Sequence, residues 1–245
     1  MNESELIDLF FGGMDKLGPG STEDTLAVLA TLPIQEFRTI IDAGCGTGRH
    51  TLDLVRQLQT PVHALDTYQP FLDRLLQRAE QAGLGDFVNA HRLDMAEIPA
   101  HFGEIDLLWS ESAVYNMGFE RALRSWYPAI GSGGFVVVSE LSQIASELPE
   151  DARRFWEREY PGLQTHEANW AAAESVGFRL LGTHRLPDTA WVEGYYDILG
   201  SRAEARLHHP DQAVRDFAAG LLEEIRIHAA NKGGFAYLFY VLQKA

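Results

Sequence analysis

Short apolar runs alternate with segments whose apolar residues recur every three or four positions, and this alternation organises most of the chain. Residues 22–31 read as a helix after Pro19-Gly20-Ser21, with Ser21 or Thr22 at its N-cap. Thr39-Ile40-Ile41, following Phe37 and ending at Asp42, is a buried strand that runs into a glycine-rich turn. Leu52, Leu54, Val55 and Leu58 then continue at helical spacing. Val62-His63-Ala64-Leu65 is a second strand, stopped by Asp66. Pro70 suits the first turn of the next helix, whose inner face is Phe71, Leu72, Leu75, Leu76 and Ala79, with Gly83 as its C-cap. Residues 87–91, 105–109 and 135–138 supply three further strands, with a helix over 121–130 and a turn at Gly131-Ser132-Gly133-Gly134 before the last of them.

After Glu140 the rhythm changes. Helices are predicted at 145–160 and 166–176, a strand at 178–181 and a final strand at 235–242. Residues 187–232, with Trp191, Tyr195, Tyr196 and an amphipathic stretch around 217–227, are too long for a plain connection and read as a helical lid insertion. Strands separated by helices in this way predict a parallel sheet covered on both faces, hence an α/β, doubly wound, Rossmann-like fold. The pattern gives a single domain over 1–245, with 1–34 as an N-terminal cap segment and 187–232 as the lid.

Composition narrows the partners. The 245 residues carry a formal net charge of −15, which disfavours a nucleic-acid backbone or an anionic membrane surface as partner. Hydrophobic residues make up 46%, enough for a buried core, yet no apolar stretch approaches the roughly 20 residues of a membrane span. The N-terminus lacks the basic region of a secretion signal, so the expected location is cytoplasmic. The single cysteine, Cys45, excludes a disulfide framework and a zinc site of several thiolates. Adjacent His208-His209 do not converge on an ion as a helical i, i+4 pair does, and no metal is expected.

The chemistry centres on Asp42-Ala43-Gly44-Cys45-Gly46-Thr47-Gly48, set between a predicted strand and helix. Glycines there permit positive φ and let a ligand approach the backbone, in the crevice at the carboxyl end of the sheet. Asp66 ends the second strand, where a carboxylate can accept hydrogen bonds from both hydroxyls of a ribose. A dinucleotide fingerprint requires a third glycine at position 49, which is Arg49. Asp42 beside the loop suits an ammonium or sulfonium better than a pyrophosphate.

These residues resemble the class I S-adenosylmethionine-dependent methyltransferases. Residues 42–48 look like their first motif, Asp66 like the ribose-binding acid, and Leu93-Asp94-Met95 like the pair that contacts adenine. The strand at 105–110, Gly133-Gly134-Phe135 and Val176-Gly177-Phe178 fit later motifs, so the resemblance covers about 35–186 and 235–245. It implies a seven-stranded sheet of order 3-2-1-4-5-7-6 with the last strand antiparallel. It also implies S-adenosyl-L-methionine as cofactor, released as S-adenosyl-L-homocysteine. The branch most resembled is the small-molecule type of ubiquinone and menaquinone biosynthesis. By register Ser112 and Asn116 stand where amine-methylating members often carry Asp or His, which weakens transfer of their substrate.

A methyl sulfonium is already an activated electrophile, so the protein must chiefly align an acceptor, exclude water and, where needed, remove a proton. The expected cofactor-binding residues are Asp42, Gly44, Gly46, Gly48, Asp66, Asp94, Met95 and Ser110. Glu111 and Tyr115, after the fourth strand, are the catalytic candidates; Asn116, Trp191, Tyr195 and Tyr196 are the candidates for a substrate lid. Phe10 and Phe11 are placed to pack the N-terminal segment across the mouth. The acceptor is a small molecule whose methylated atom (N, O, S or C) stays open, and a homodimer is compatible with the sequence. Two alternatives stand beside this reading: a non-catalytic adenosyl-binding protein, and a nicotinamide-dependent oxidoreductase, which Arg49 and Asp42 disfavour.

Overall fold

The computed structural model describes the backbone of residues 1–245 and every side chain except that of Glu3. Strands β1 (Ile40–Ala43), β2 (Val62–Asp66), β3 (Val88–Arg92), β4 (Ile105–Ser110), β5 (Ile130–Gln143), β6 (Gln164–Thr165), β7 (Phe178–Arg185) and β8 (Phe235–Lys244) form one sheet. Its order is β3-β2-β1-β4-β5-β8-β7. β8 runs antiparallel to both neighbours. The two-residue β6, which no sequence pattern marks, pairs parallel with the far end of β5. Apart from that added strand, the order is the one expected.

Helices cover both faces: α1 (Glu3–Phe11), α2 (Thr22–Leu29), α3 (Arg49–Leu58), α4 (Gln69–Gln81), α5 (Ile98–His101), α6 (Phe119–Trp126), α7 (Glu150–Glu159), α8 (His166–Val176), α9 (Thr189–Trp191), α10 (Asp197–Glu204) and α11 (Gln212–Ala230). Successive strand residues point to opposite faces, so each central strand feeds two cores. Ile40, Leu107 and Val137 pack with Val28 and Leu29 of α2, Leu52 of α3 and Leu72 of α4. Ile41, Leu108 and Val136 pack with Ile98 of α5, Leu123 and Trp126 of α6 and Ala173 of α8.

Several boundaries differ from the sequence pattern, three of them with a visible cause. Residues 131–134, expected as a turn, lie inside β5, where the ladder with β4 slips between the pairs Ile105–Ile130 and Leu107–Phe135. β5 also continues past Val138 because β8 pairs with it from Phe135 to Gln143. Its two buried serines are satisfied there, Ser139 Oγ accepting from Ser112 N–H at 2.8 Å and Ser142 Oγ sharing a 2.9 Å bond with Tyr240 OH. Finally, α7 begins at Glu150 rather than 145, since Pro149 disfavours helical geometry at Leu148.

The expected cap divides in two. α2 belongs to the main core, with Val28 and Leu29 fully buried. Only the stretch before Ser21 lies over the sheet's carboxyl edge. Its helix α1 docks on the insertion through Phe10, whose ring centroid is 4.7 Å from that of Phe217 in α11. Arg202 of α10 donates to the carbonyls of Phe10 and Gly12 at 2.6 and 2.9 Å, satisfying the open end of α1. Lys16 Nζ then donates to Ala190 and Glu193 carbonyls at 2.5 and 2.7 Å, tying this segment to the insertion. No helix among the described residues is long and apolar enough to cross a membrane.

Candidate active site

The glycine turn leaves β1 at Ala43 and enters α3 at Arg49. Gly44 and Cys45 both donate their N–H to the Leu65 carbonyl at 2.9 Å, which folds the turn against the end of β2. Asp66 completes the brace: one carboxylate oxygen accepts from Gly46 N–H at 2.9 Å and the other from Tyr68 N–H at 2.8 Å. Each oxygen keeps a lone pair to offer. Burial pushes the Asp66 carboxyl above its usual range, while these backbone donors pull the other way.

Two turn positions require glycine. Gly44 has φ +76°, and a Cβ there would stand 2.4 Å from Ala113 Cβ. Gly46 has φ +54°, with a Cβ placed 2.8 Å from Leu17 Cδ1. The bare backbone borders a cavity of about 630 Å³. Asp66, Tyr68, Asp94 and Met95 line it, as do Glu111, Ser112, Tyr115 and Asn116. Asp94 opens a short helical turn by accepting from Ala96 N–H at 2.8 Å, and Trp126 Nε1 fixes the Met95 carbonyl at 2.8 Å. Phe11 also reaches this wall.

Three residues expected to touch a cofactor are not on the wall. Asp42 shares the strand face of Ile40, the face covered by α2 and α3, and its Oδ2 accepts from Thr51 Oγ1 at 2.6 Å. Its other oxygen has no partner, and burial pushes its pKa up to about 6. Gly48 caps α3 and packs against Leu75. Ser110 is fully buried and donates to the Ala43 carbonyl at 2.8 Å.

Glu111 faces the cavity and is held by hydrogen bonds on Oε1 and by charge on Oε2. Its Oε1 accepts from Thr25 Oγ1 at 2.8 Å and Trp109 Nε1 at 2.7 Å, and its Oε2 lies 2.8 Å from His50 Nδ1. Burial alone would push this carboxyl up; His50, Arg49 and Trp109 together outweigh that and hold it below the usual range. A carboxylate so held is an anchor joining α2, α3 and β4, not a free base. Glu111→Gln, which keeps an acceptor but loses the charge facing His50, is expected to lower stability by about 1–2 kcal/mol. Urea unfolding of the two proteins at neutral pH measures it, and equal midpoints with equal slopes would remove the anchor.

Beside this cavity lies a second, of about 230 Å³, which shares Leu17, Gly18, Ser112 and Tyr115 with the first as a common wall. Its other walls are chiefly Trp156, Tyr160, Trp191, Tyr195, Tyr237 and Glu224. Ser112 at the junction has φ +53°, a conformation that costs a non-glycine residue about 1–3 kcal/mol and is fixed here by Ser139 and the Pro19 carbonyl. Of the expected lid residues, Trp191 and Tyr195 line this chamber. Tyr196 lies behind them, donating from its hydroxyl to Glu224 Oε1 at 2.7 Å. Asn116 is on the larger cavity instead, with its amide given to the Ala113 carbonyl at 3.0 Å.

Trp156, Tyr160, Tyr237 and Glu224 escaped the sequence reading because each sits at a position that a helix face or a strand already explains. Glu140, which follows the core of the fifth strand and for which the sequence favours a structural role, is buried inside β5. Tyr160 donates to its Oε1 at 2.5 Å, its Oε2 has no partner, and burial pushes its pKa up to about 8. An unfolded carboxyl ionises near pH 4.5 whereas the folded one stays protonated until about 8, so between those values the native state holds the extra proton and stability falls as pH rises. Glu140→Gln is expected to flatten that fall, by at most about 1.4 kcal/mol per pH unit. Unfolding curves at pH 5 and pH 8 check it; parallel losses in both proteins would contradict it.

His184 Nε2 meets Asp24 Oδ1 at 3.2 Å rather than the crevice. Cys45 is buried, and burial pushes its thiol well above the usual range.

Comparison with known proteins accords with this architecture. A methyltransferase-domain family matches residues 40–134, the stretch from β1 through the glycine turn to the start of β5. Malonyl-acyl-carrier-protein O-methyltransferase of Salmonella typhimurium is 33% identical over 175 residues, covering 68% of this chain; the chain spans 64% of that enzyme's length. Among solved structures, a methyltransferase from Thiobacillus denitrificans in complex with S-adenosyl-L-homocysteine superposes with a TM-score of 0.83 over 100% of both chains at 15% identity. The 4+2 cyclase SpnF superposes with a TM-score of 0.78 at 16% identity, covering 98% of this chain and 92% of its own. At such identities the likeness shows the fold, and the cyclase shows that the fold alone does not set the reaction.

Proposed function

We propose that this chain, which belongs to the class I S-adenosylmethionine-dependent methyltransferases, moves the sulfonium methyl of S-adenosylmethionine to a small-molecule acceptor. The observation that carries the reading is the adjacency of two cavities. One has a glycine cradle and a pinned carboxylate; the other is walled mainly by aromatic rings, partly from the insertion, and meets the first at Ser112 and Tyr115.

The residues present fit the cofactor. Gly44 and Gly46 present bare backbone to the cavity, packed close against Ala113, Met95 and Leu17, and Asp66 offers both oxygens to the ribose hydroxyls. Asp94 and Met95, on the same cavity, would hold the adenine. Arg49 lines the cavity with Nε and Nη2 buried and unpartnered, which supports a contact with the methionyl carboxylate. Bound there, the cofactor supplies a methyl carbon that needs no further activation. This chain's residues then have the tasks of alignment and water exclusion: Tyr115 and Ser112 orient the acceptor at the junction, and Trp191 and Tyr195 shield it. Glu111 serves by fixing His50 and Trp109.

Titration calorimetry with S-adenosylhomocysteine, followed by a labelled-methyl screen over amines, phenols, quinol precursors and thiols, tests the reading. Micromolar binding together with transfer to at least one acceptor is expected. Binding of NAD in place of S-adenosylhomocysteine, or cofactor binding with no transfer to any acceptor class, would overturn it.

A further inference from the structure

We infer that the smaller chamber selects a compact amine, held as its ammonium among aromatic rings and the Glu224 carboxylate. The inference rests on the methyltransferase reading above and adds the acceptor's chemistry. The chamber wall carries Tyr115, Trp156, Tyr160, Trp191, Tyr195 and Tyr237. Ring faces of this kind attract a cation through their quadrupole, most strongly when water is displaced.

The charged groups on the wall are all acids: Glu159 and Glu224, with no Lys, Arg or His among the described lining residues. The neighbouring cations are occupied elsewhere. Lys16 is held by two carbonyls of the insertion, and Arg158 pairs with Glu159 and Glu223. His228 stacks on Trp191 with centroids 4.7 Å apart and does not line the chamber. Glu224 accepts from Tyr196 through Oε1 alone, and its Oε2 has no hydrogen-bond partner among the described residues. Behind Tyr160, Glu140 keeps a second carboxyl oxygen buried and unpartnered.

A buried carboxylate without a cation, as Glu224 is, is costly unless a ligand brings one. An acceptor carrying a phosphate or carboxylate into this chamber would set a second anion beside Glu224; a neutral one would leave Glu224 uncompensated. An ammonium satisfies both the rings and the carboxylate. The volume of about 230 Å³ suits one ring with a short amino side chain rather than a polymer or a long acyl tail.

The chemistry balances as follows. Glu224 takes one proton from the bound ammonium, and burial, which pushes its pKa up, favours that transfer. The freed nitrogen lone pair forms the N–CH3 bond while the C–S bond of the sulfonium breaks, its electron pair staying on sulfur. The positive charge passes from sulfur to nitrogen, and the product leaves as an N-methylammonium. Glu224 returns its proton to solvent when the chamber opens.

The test uses the whole protein saturated with S-adenosylhomocysteine. Calorimetry compares phenethylamine with phenethyl alcohol and hydrocinnamate, and cyclohexylmethylamine with cyclohexylmethanol and cyclohexanecarboxylate. At least one amine is expected to bind about tenfold or more tighter than its alcohol and its carboxylate. Glu224→Gln is expected to remove about fivefold or more of that preference while leaving S-adenosylhomocysteine affinity within about twofold, a readout that also reports correct folding. If neither amine is preferred over its partners, or if Glu224→Gln binds cofactor normally and keeps the full preference, the inference falls. Loss of S-adenosylhomocysteine binding by the unmutated protein would instead overturn the methyltransferase reading itself, so the two failures are told apart.

Discussion

Asp66→Ala is expected to weaken S-adenosylhomocysteine binding by about 100-fold to 1,000-fold. A hydrogen bond to a charged acceptor contributes about 1.5–3 kcal/mol; two ribose hydroxyls would each lose one, and at the lower part of that range, fitting hydroxyls that regain water, the pair amounts to roughly 3–4 kcal/mol. The substitution has a second consequence, because the same carboxylate holds Gly46 N–H and Tyr68 N–H. Without it the glycine turn keeps its bonds to the Leu65 carbonyl but loses the brace on Gly46, so binding also bears the cost of ordering the turn. Asp66→Asn separates the two effects. Its carbonyl oxygen still accepts from one backbone N–H or one hydroxyl, so an intermediate affinity is expected. Calorimetry on the three proteins checks the order, with thermal melts reporting that the fold persists. An Asp66→Ala variant that binds as tightly as the parent protein would place the ribose elsewhere.

The parts of the site that were legible in the sequence are those built from one contiguous stretch. The turn at 42–48 carries its own signature, and Asp66 announces itself by ending an apolar run. Even there, spacing could not tell which side chains face the ligand. Asp42 and Ser110 are directed by the pleat of their strands into the core, and only the sheet register reveals it. The chamber was legible only in Tyr115, Trp191 and Tyr195, and the rest of it escaped for a different reason. Tyr115, Trp156, Trp191, Glu224 and Tyr237 come from five separate segments, and each has a local pattern that accounts for it without a ligand. Trp156 completes the apolar face of α7, and Tyr237 continues an alternating strand. What brings them together is the insertion folding back over β5 and β8, a tertiary event that no local period records. β6 was missed for a similar reason, since its existence depends on pairing with β5 rather than on its own two residues. Glu140 shows the same limit in energetic form: its burial follows from the extension of β5 by β8, not from its neighbours in sequence.

Gly46→Val is expected to abolish detectable S-adenosylhomocysteine binding while the protein remains folded. Two costs act at this position, and they fall on different quantities. The left-handed conformation, φ +54°, is unfavourable for any residue with a Cβ by about 1–2 kcal/mol and more so for a β-branched one. That strain lowers stability, by roughly 3–8 °C in melting temperature for a domain of this size. Occlusion falls on binding alone. The new Cβ stands 2.8 Å from Leu17 Cδ1, and the two methyls beyond it occupy space that the bare turn leaves to the cavity. Leu17 can shift at its flexible end, so the fold survives, but its movement further narrows the cleft. Gly46→Ala carries most of the strain and little of the bulk. It is therefore expected to melt nearly as low as Gly46→Val yet to bind cofactor with only about a tenfold loss. If the alanine variant instead lost binding as completely as valine, backbone strain rather than lost space would be the cause. A valine variant that bound S-adenosylhomocysteine normally would mean that the turn does not cradle the cofactor at all.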